Sequence, residues 1–427
     1  MGGDWIERDA AVVWHGFTQM AAYPDNSPII VERAEDHELI DTDGRRYLDA
    51  ISSLWVTTLG HRVAELDMAL TEQLVRVAHS TMLGNGNRKV IELAEALAKV
   101  VPIDEPHFLF ASDGSAAVEQ SLKIAFQYWV NEGVIGRETY LAFRGAYHGD
   151  TVGALSIGAG GFGADLFDPL RFPVIYAPGF DDPHCFEEAA RLIYDRRDHL
   201  AAVVVEPLVQ GAAGMKVASP EAFDPLAEAC RDTGVLLICD EIATGWGRTG
   251  RMFATEATML RPDLLCMGKG MTGGYLPMSA TAAGRRVYDA FLGDDLSDRT
   301  FYHGHSYGGN ALAAAVALRH LELLQEEDVF GNVRERSAQL RARLDDSIAG
   351  LAGVTDIRLC GLMAAVDVDC TDDALRARRT CAAATQNGVL MRSLGPSIIL
   401  VPPLTITRSE IERIVESLEK AIVETSP

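Results

Sequence analysis

Short apolar runs punctuate the middle of the chain, with amphipathic stretches between them. Residues 108–111, Thr139–Phe143, 201–205, 235–239 and Leu264–Met267 are four or five residues long and rich in Val, Leu, Ile, Ala or aromatic side chains. Runs of that length and composition predict buried strands. The clearest helical pattern begins after Gly114, where Val118, Leu122, Ala125, Phe126 and Trp129 recur at helical spacing and predict one stripe turned to the core. Strand candidates alternating with amphipathic helices argue for a mostly parallel sheet covered by helices, an α/β architecture. The pattern changes towards the end: 354–359 and Met363–Val368 predict strands, and Thr407-Arg-Ser-Glu410 is a capping box opening a last helix. Ile411, Ile414, Val415, Leu418 and Ile422 line one face of that helix. The expected organisation is an N-terminal arm over 1–60 belonging to a smaller α+β lobe, a large domain over 61–319, and the rest of the small lobe over 320–427.

Composition narrows the function. The 427 residues are 48% hydrophobic and 23% charged, ordinary for a globular enzyme and unlike a disordered chain. A formal charge of −23, with no Lys/Arg run, speaks against nucleic-acid binding. The seven cysteines are spread out with no CxxC pair, which predicts reduced thiols in a cytoplasmic protein and neither a disulfide framework nor a metal site. Residues 1–20 carry Asp4, Glu7, Arg8 and Asp9 where a secretory signal needs an apolar stretch. No apolar run approaches the roughly 20 residues of a membrane span.

Candidate chemistry starts with lysine. Six lysines stand among 38 basic residues, so lysine is kept most clearly where a guanidinium cannot substitute. Imine formation is such a place, because it needs a primary amine that can lose its proton. Lys269 follows the strand candidate Leu264–Met267 and lies between Gly268 and Gly270. A surface lysine in a loop is the competing reading. Asp240 directly follows the strand candidate 235–239, and ligands of open α/β sheets sit outside the carboxyl ends of strands. A carboxylate there can keep a pyridine nitrogen protonated; alternatively, Asp240-Glu241 could bind magnesium, although no Walker-type loop accompanies it. Gly114-Ser115 stands at the predicted helix start, where amides and a hydroxyl suit a phosphate or simply cap the helix. Tyr147-His148 offers an aromatic face, and Glu206-Pro207 another carboxylate past a strand.

These segments share order and spacing with one family. Asp240-Glu-Ile-Ala-Thr-Gly-Trp-Gly-Arg-Thr-Gly250, Gly268-Lys-Gly-Met-Thr-Gly-Gly274, Val205-Glu-Pro, Gln210-Gly and Gly145-Ala-Tyr-His-Gly-Asp-Thr151 resemble the class III, fold-type I pyridoxal-phosphate aminotransferases over nearly the whole chain. Trp14-His15, Asp49-Ala-Ile-Ser-Ser-Leu-Trp55, Gly60-His61, Gln127-Tyr-Trp129, Ala243 and Gly273-Gly-Tyr275 are most similar to the diaminononanoate synthases of biotin biosynthesis. The resemblance implies pyridoxal 5'-phosphate as cofactor, a small-molecule amino donor and keto acceptor, and a homodimer with shared active sites. It implies that Gly114 and Ser115 hold the phosphate with Ser306 from the partner chain. Tyr147 would stack on the ring, Asp240 bind its nitrogen, and Lys269 form the imine and move the proton. Glu206 and Ile242 would complete the cofactor's surroundings. Arg392 would pair with the substrate carboxylate, Trp55 wall the acyl chain, and Phe17 and His305 lie on the substrate side.

Departures from the family pattern bear on the donor. Ser112-Asp113-Gly114-Ser115 replaces Asp-Ser-Gly-Ser and sets a carboxylate beside the expected phosphate site, where Asp113 must point away or bond the backbone. Leu54-Trp55 replaces a Trp pair, Phe17 a Tyr, and His305-Ser306 a Pro-Thr. The segments at Phe17, Ser52, His303 and Arg392 look more like the lysine-using branch than the S-adenosylmethionine-using one.

Overall fold

The computed structural model describes residues 2–26, 28–158 and 164–426, and the chain divides into two compact units, 64–331 and 1–63 with 332–427. The larger is built on a seven-stranded sheet: β1 His107–Ala111, β2 Thr139–Phe143, β3 Ile175–Ala177, β4 Leu200–Val205, β5 Leu236–Asp240, β6 Leu264–Met267 and β7 Ser279–Ala283. Their spatial order is β3-β2-β4-β5-β6-β7-β1. β7 runs antiparallel to both neighbours, and the other six share one direction. Every residue of β4, β5, β6 and β7 is buried. That explains why the central strands read as unbroken apolar runs: a parallel sheet with both faces covered has no polar face to alternate with.

Helix α1, Gly114–Asn131, covers one face. Val118, Leu122, Ala125 and Trp129 are buried against Ala202, Val204, Ile238, Leu264 and Cys266. Phe126, expected in the same stripe, is instead exposed, because the residue after Ala125 is turned about 100° away from the seam. Trp129 donates its indole N–H to the Ala201 carbonyl at 2.8 Å and Tyr140 its hydroxyl to the Leu122 carbonyl at 2.7 Å, so neither polar tip is left unsatisfied in the core. Side-chain alternation sends Tyr140 and Ala142 of β2 to this face and Phe143 to the other. There Phe143 meets Phe186 of α2, Cys185–Arg196, in an aromatic cluster with Phe180 and Phe223.

The smaller unit holds two four-stranded sheets. One joins Val31–Glu35, Glu38–Asp41, Arg46–Asp49 and Val389–Leu390, so the N-terminal arm and the C-terminal segment share a ladder. The other orders Val354–Cys360, Met363–Val368, Ser397–Leu400 and Arg392–Leu394, all antiparallel. The last helix, Arg408–Glu424, carries the capping box: Thr407 caps the Glu410 amide and Glu410 accepts from the Thr407 amide at 2.8 Å. Ile411, Ile414, Val415, Leu418 and Ile422 of that helix are fully buried. The seven cysteines are free, five of them buried and Cys360 and Cys370 half-buried. Among the described residues no helix is long and apolar enough to cross a membrane, and no cluster of three or more His, Cys, Asp or Glu could hold a metal ion.

Candidate active site

The carboxyl ends of the parallel strands deliver the site. β5 ends on Asp240, β6 is followed by Gly268-Lys269, β4 by Glu206, β2 by the Tyr147-His148 loop and β1 by the start of α1. Because six strands share one direction, all five segments emerge on the same edge of the sheet.

Asp240 is buried and takes two donors: His148 Nδ1 approaches Oδ2 at 2.7 Å, and the Ile242 amide donates to Oδ1 at 3.0 Å. Burial works against a charge on His148, yet the hydrogen-bonded Asp240 carboxylate outweighs it and raises the imidazole's pKa. Glu206 accepts from the Tyr147 amide at 3.2 Å and the Gly211 amide at 3.1 Å. Burial, with Asp240 adding like charge and His148 opposing, pushes Glu206 up to about 7. The amine of Lys269 is enclosed by protein, and this loss of water lowers its pKa against the opposing pull of Asp240 and Glu206. An amine so placed loses its proton more readily than a surface lysine, which is what a nucleophilic lysine requires.

Lys269 has a φ of 43°, a strained value for a residue with a side chain. Its neighbours are braced. Trp246 donates its indole N–H to the Gly268 carbonyl at 3.0 Å, and the buried Glu241 holds the 241–255 loop by accepting from Thr244, Ala254 and Thr255.

The cradle beside Lys269 depends on two glycines. A Cβ on Gly114 would lie 2.9 Å from Ile242 Cδ1, so the helix start and the residue two beyond Asp240 are in tight contact. A Cβ on Gly149, where φ is 120°, would lie 1.9 Å from Ser115 Oγ. A glycine at 149 therefore lets the Tyr147-His148 loop close over the Ser115 hydroxyl. By contrast a Cβ on Gly268 meets only ordinary contacts of 3.5 Å or more. Glu119 of α1 pins the far end of the loop by accepting from Thr151 Oγ1 at 2.6 Å and the Gly153 amide at 2.7 Å. Asp113 resolves its own conflict: its side chain caps α1 by accepting from the Ala116 amide at 2.9 Å, not from Gly114 or Ser115.

The structure thus gathers Gly114, Ser115, Tyr147, Glu206, Asp240, Ile242 and Lys269 in one place. Ser306 and His305 lie on another loop of the same unit, where His79 Nε2 donates to the Ser306 carbonyl at 2.6 Å and the Gly308 amide to the His305 carbonyl at 3.2 Å. Phe17, Trp55 and Arg392 belong to the smaller unit. Phe17 is exposed, Trp55 is buried with a φ of 64°, and Arg392 is exposed at the head of the strand Arg392–Leu394, opposite Ile399. His148 was visible in the sequence only as the neighbour of Tyr147. Its pairing with Asp240, 92 residues away, leaves no local signal.

Residues 19–422 match the aminotransferase class-III family, and the chain belongs to it. Members are pyridoxal-phosphate-dependent aminotransferases of fold type I, the fold seen here. The adenosylmethionine-8-amino-7-oxononanoate aminotransferase of Nitratidesulfovibrio vulgaris is 43% identical, over 97% of this chain and 81% of its own length. That of Geobacter sulfurreducens is 39% identical, over 98% and 96%. The crystal structure of the enzyme with that name from Methanocaldococcus jannaschii superposes with a TM-score of 0.94 at 36% identity, covering 98% of each chain. An amine transaminase from an uncultivated Pseudomonas species, solved in its pyridoxal-phosphate form, gives a TM-score of 0.89 at 32% identity, covering 97% of this chain and 99% of its own.

Proposed function

We propose that this chain transaminates 8-amino-7-oxononanoate to 7,8-diaminononanoate in biotin biosynthesis, with Lys269 and Asp240 as its central catalytic residues. The observation that carries the catalytic reading is the buried Asp240–His148 pair on the same sheet edge as an amine whose pKa burial lowers. The substrate reading rests on the relatives at 43% and 39% identity that bear the oxononanoate aminotransferase name.

The donor set fits pyridoxal phosphate. When bound, the cofactor supplies an aldehyde for amines and a ring that takes up the electron pair released at the substrate carbon. Gly114 and Ser115 would hold its phosphate through first-turn amides and a hydroxyl, which Asp113 leaves to it by capping Ala116. Tyr147, Ile242 and Glu206, whose pKa burial pushes up to about 7, would complete the ring's surroundings. Asp240 would keep the ring nitrogen protonated, with His148 supporting its charge. Lys269 would hold the cofactor through its amine and then, released from it, carry the proton on and off the substrate carbon. Arg392 would bind the acceptor's carboxylate, for which a planar fork is suited. Trp55 would wall its acyl chain, and Phe17 and His305 would be further substrate-binding residues. Ser306 of a second copy would reach the phosphate, making the working enzyme a homodimer, and its place would be the cytoplasm.

The relatives' names make S-adenosylmethionine the first reading of the donor. Lysine is the second, favoured by Phe17, which lacks a hydroxyl, and by Leu54, which lacks a ring to hold a purine. Rescue of a biotin auxotroph lacking the synthase tests the main proposal, and failure of a folded enzyme to rescue it with either donor present would shift the reading to another ω-amine or diamine transaminase. Mixing the pyridoxal form with each donor and following conversion to pyridoxamine phosphate identifies the donor.

A further inference from the structure

The segment Asp49-Ala-Ile-Ser-Ser-Leu-Trp55 contains a backbone that ordinary side chains avoid. Ser52, Ser53 and Trp55 have φ values of 49°, 60° and 64°, and none of them is glycine. Such a turn persists only where its surroundings over-determine it. Here a carboxylate does so. Asp49 is fully buried, and both its oxygens face the Ser53 amide, at 2.9 and 2.7 Å; Oδ2 also takes Ser53 Oγ at 3.2 Å and His61 Nε2 at 3.1 Å. His61 is fixed in turn, its amide donating to the Asp36 carbonyl at 2.5 Å. The preceding Gly60 lies so close that a Cβ would sit 2.7 Å from the same oxygen. On the other side Ser52 Oγ donates to the Val401 carbonyl at 2.7 Å, and the Val401 amide returns a bond to Ala50 at 2.7 Å.

A buried carboxylate costs free energy unless its hydrogen bonds are met, and this one is met almost wholly by the turn and its brace. The side chain at the end of that turn is Trp55. We propose that Asp49 is a positioning residue: with His61 it locks the Ser52–Trp55 turn and so fixes the indole of Trp55, setting the enzyme's affinity for the acyl chain of its keto acceptor. The proposal rests on the reading of Trp55 given above, and it assigns a role to two sequence motifs, Asp49-Ala-Ile-Ser-Ser and Gly60-His61, that the transamination chemistry does not use.

Steady-state kinetics of the holoenzyme test it. Asp49→Asn keeps the shape but loses the charge, and it should raise the KM for 8-amino-7-oxononanoate roughly tenfold while kcat and cofactor affinity stay within about twofold. Trp55→Ala should raise the same KM, and the double variant should be no worse than Trp55→Ala alone, since both act through one side chain. Ser53→Gly, which accepts a left-handed φ without strain, should restore part of the loss in the Asp49→Asn background. A raised KM in Trp55→Ala with a normal KM in Asp49→Asn overturns the inference and leaves the substrate reading intact. A normal KM in Trp55→Ala overturns the reading of Trp55 and the inference with it. Should Asp49→Asn not fold, His61→Gln carries the test: KM rises with kcat unchanged if the brace sets the turn, and an unchanged KM refutes it.

Discussion

The two units treat their charged groups in opposite ways. The larger unit buries Asp240, His148 and Glu206 together at the edge of a regular sheet and encloses the Lys269 amine, so burial and neighbouring charges shift the pKa values of His148, Glu206 and Lys269. The smaller unit also buries carboxylates, Asp41 and Asp49, but sets each against the backbone of a turn, and it leaves Arg392 and Phe17 exposed. Chemistry on a cofactor ring needs charges held in place before the reaction begins, and a sheet edge with several strands ending side by side supplies that rigidity. Selection among substrates needs only a few contacts at the right distance, which exposed strands and turns provide and change readily. The contrast predicts that substitutions in the first unit act on turnover and those in the second on substrate affinity.

The largest effect is expected at Asp240. Asp240→Asn should keep the cofactor bound and lower kcat by roughly 10²–10³-fold, since an amide cannot hold the ring nitrogen protonated. Turnover near the wild-type value would break the comparison at its strongest point. Arg392→Ala should raise the KM for the oxononanoate by about 10–100-fold through loss of a charge-assisted pair, with kcat and cofactor affinity little changed. A loss of cofactor binding in that variant would show that the two units do not divide the work as described. His148→Gln sharpens the picture on the cofactor side. It retains a donor for Asp240 but not the positive charge, and a kcat reduced by about tenfold at saturating cofactor is expected.

The last effect concerns stability and leaves turnover aside. Glu206 binds its proton more tightly in the folded protein, where its pKa is about 7, than unfolded, where it is near the ordinary 4.5. Its stabilising contribution is therefore complete below pH 4.5 and is lost as the pH rises through about 7. In cofactor-free protein Glu206→Gln should remove a decline of about 3 kcal/mol across that window, measured as unfolding free energy against pH. A decline that persists in the variant would place its origin elsewhere.

How much of this was legible in the sequence follows from how local each feature is. Strands β2 and β6 coincide with the apolar runs that predicted them, β1 and β4 start one residue earlier than theirs, and β5 is shifted by one residue at both ends, because full burial makes a strand uniformly apolar. β7 went unread: Ser-Ala-Thr-Ala-Ala is a weak strand former that becomes one only between β6 and β1, where small side chains fit under α1. β3, three residues long, gave too short a run to stand out. At the site, Asp240 and Lys269 were readable from their places after strands, and Asp113 needed the structure to show that it caps α1. The Asp240–His148 pair, the clash that requires Gly149 opposite Ser115, and the bond from His61 to Asp49 join residues far apart in the chain, so no periodicity or spacing could reveal them.

The central claim is that Lys269 holds the cofactor, and the scarcity of lysine makes it testable with little ambiguity, since only six peptides can carry a modified lysine side chain. Borohydride reduction of the purified, yellow holoenzyme, followed by digestion and mass spectrometry, should bleach the colour and place the phosphopyridoxyl group on the peptide containing Lys269 alone. A label on Lys89, Lys99, Lys123, Lys216 or Lys420 instead, or an Lys269→Ala enzyme with unchanged colour and the same reducible linkage, would contradict the account.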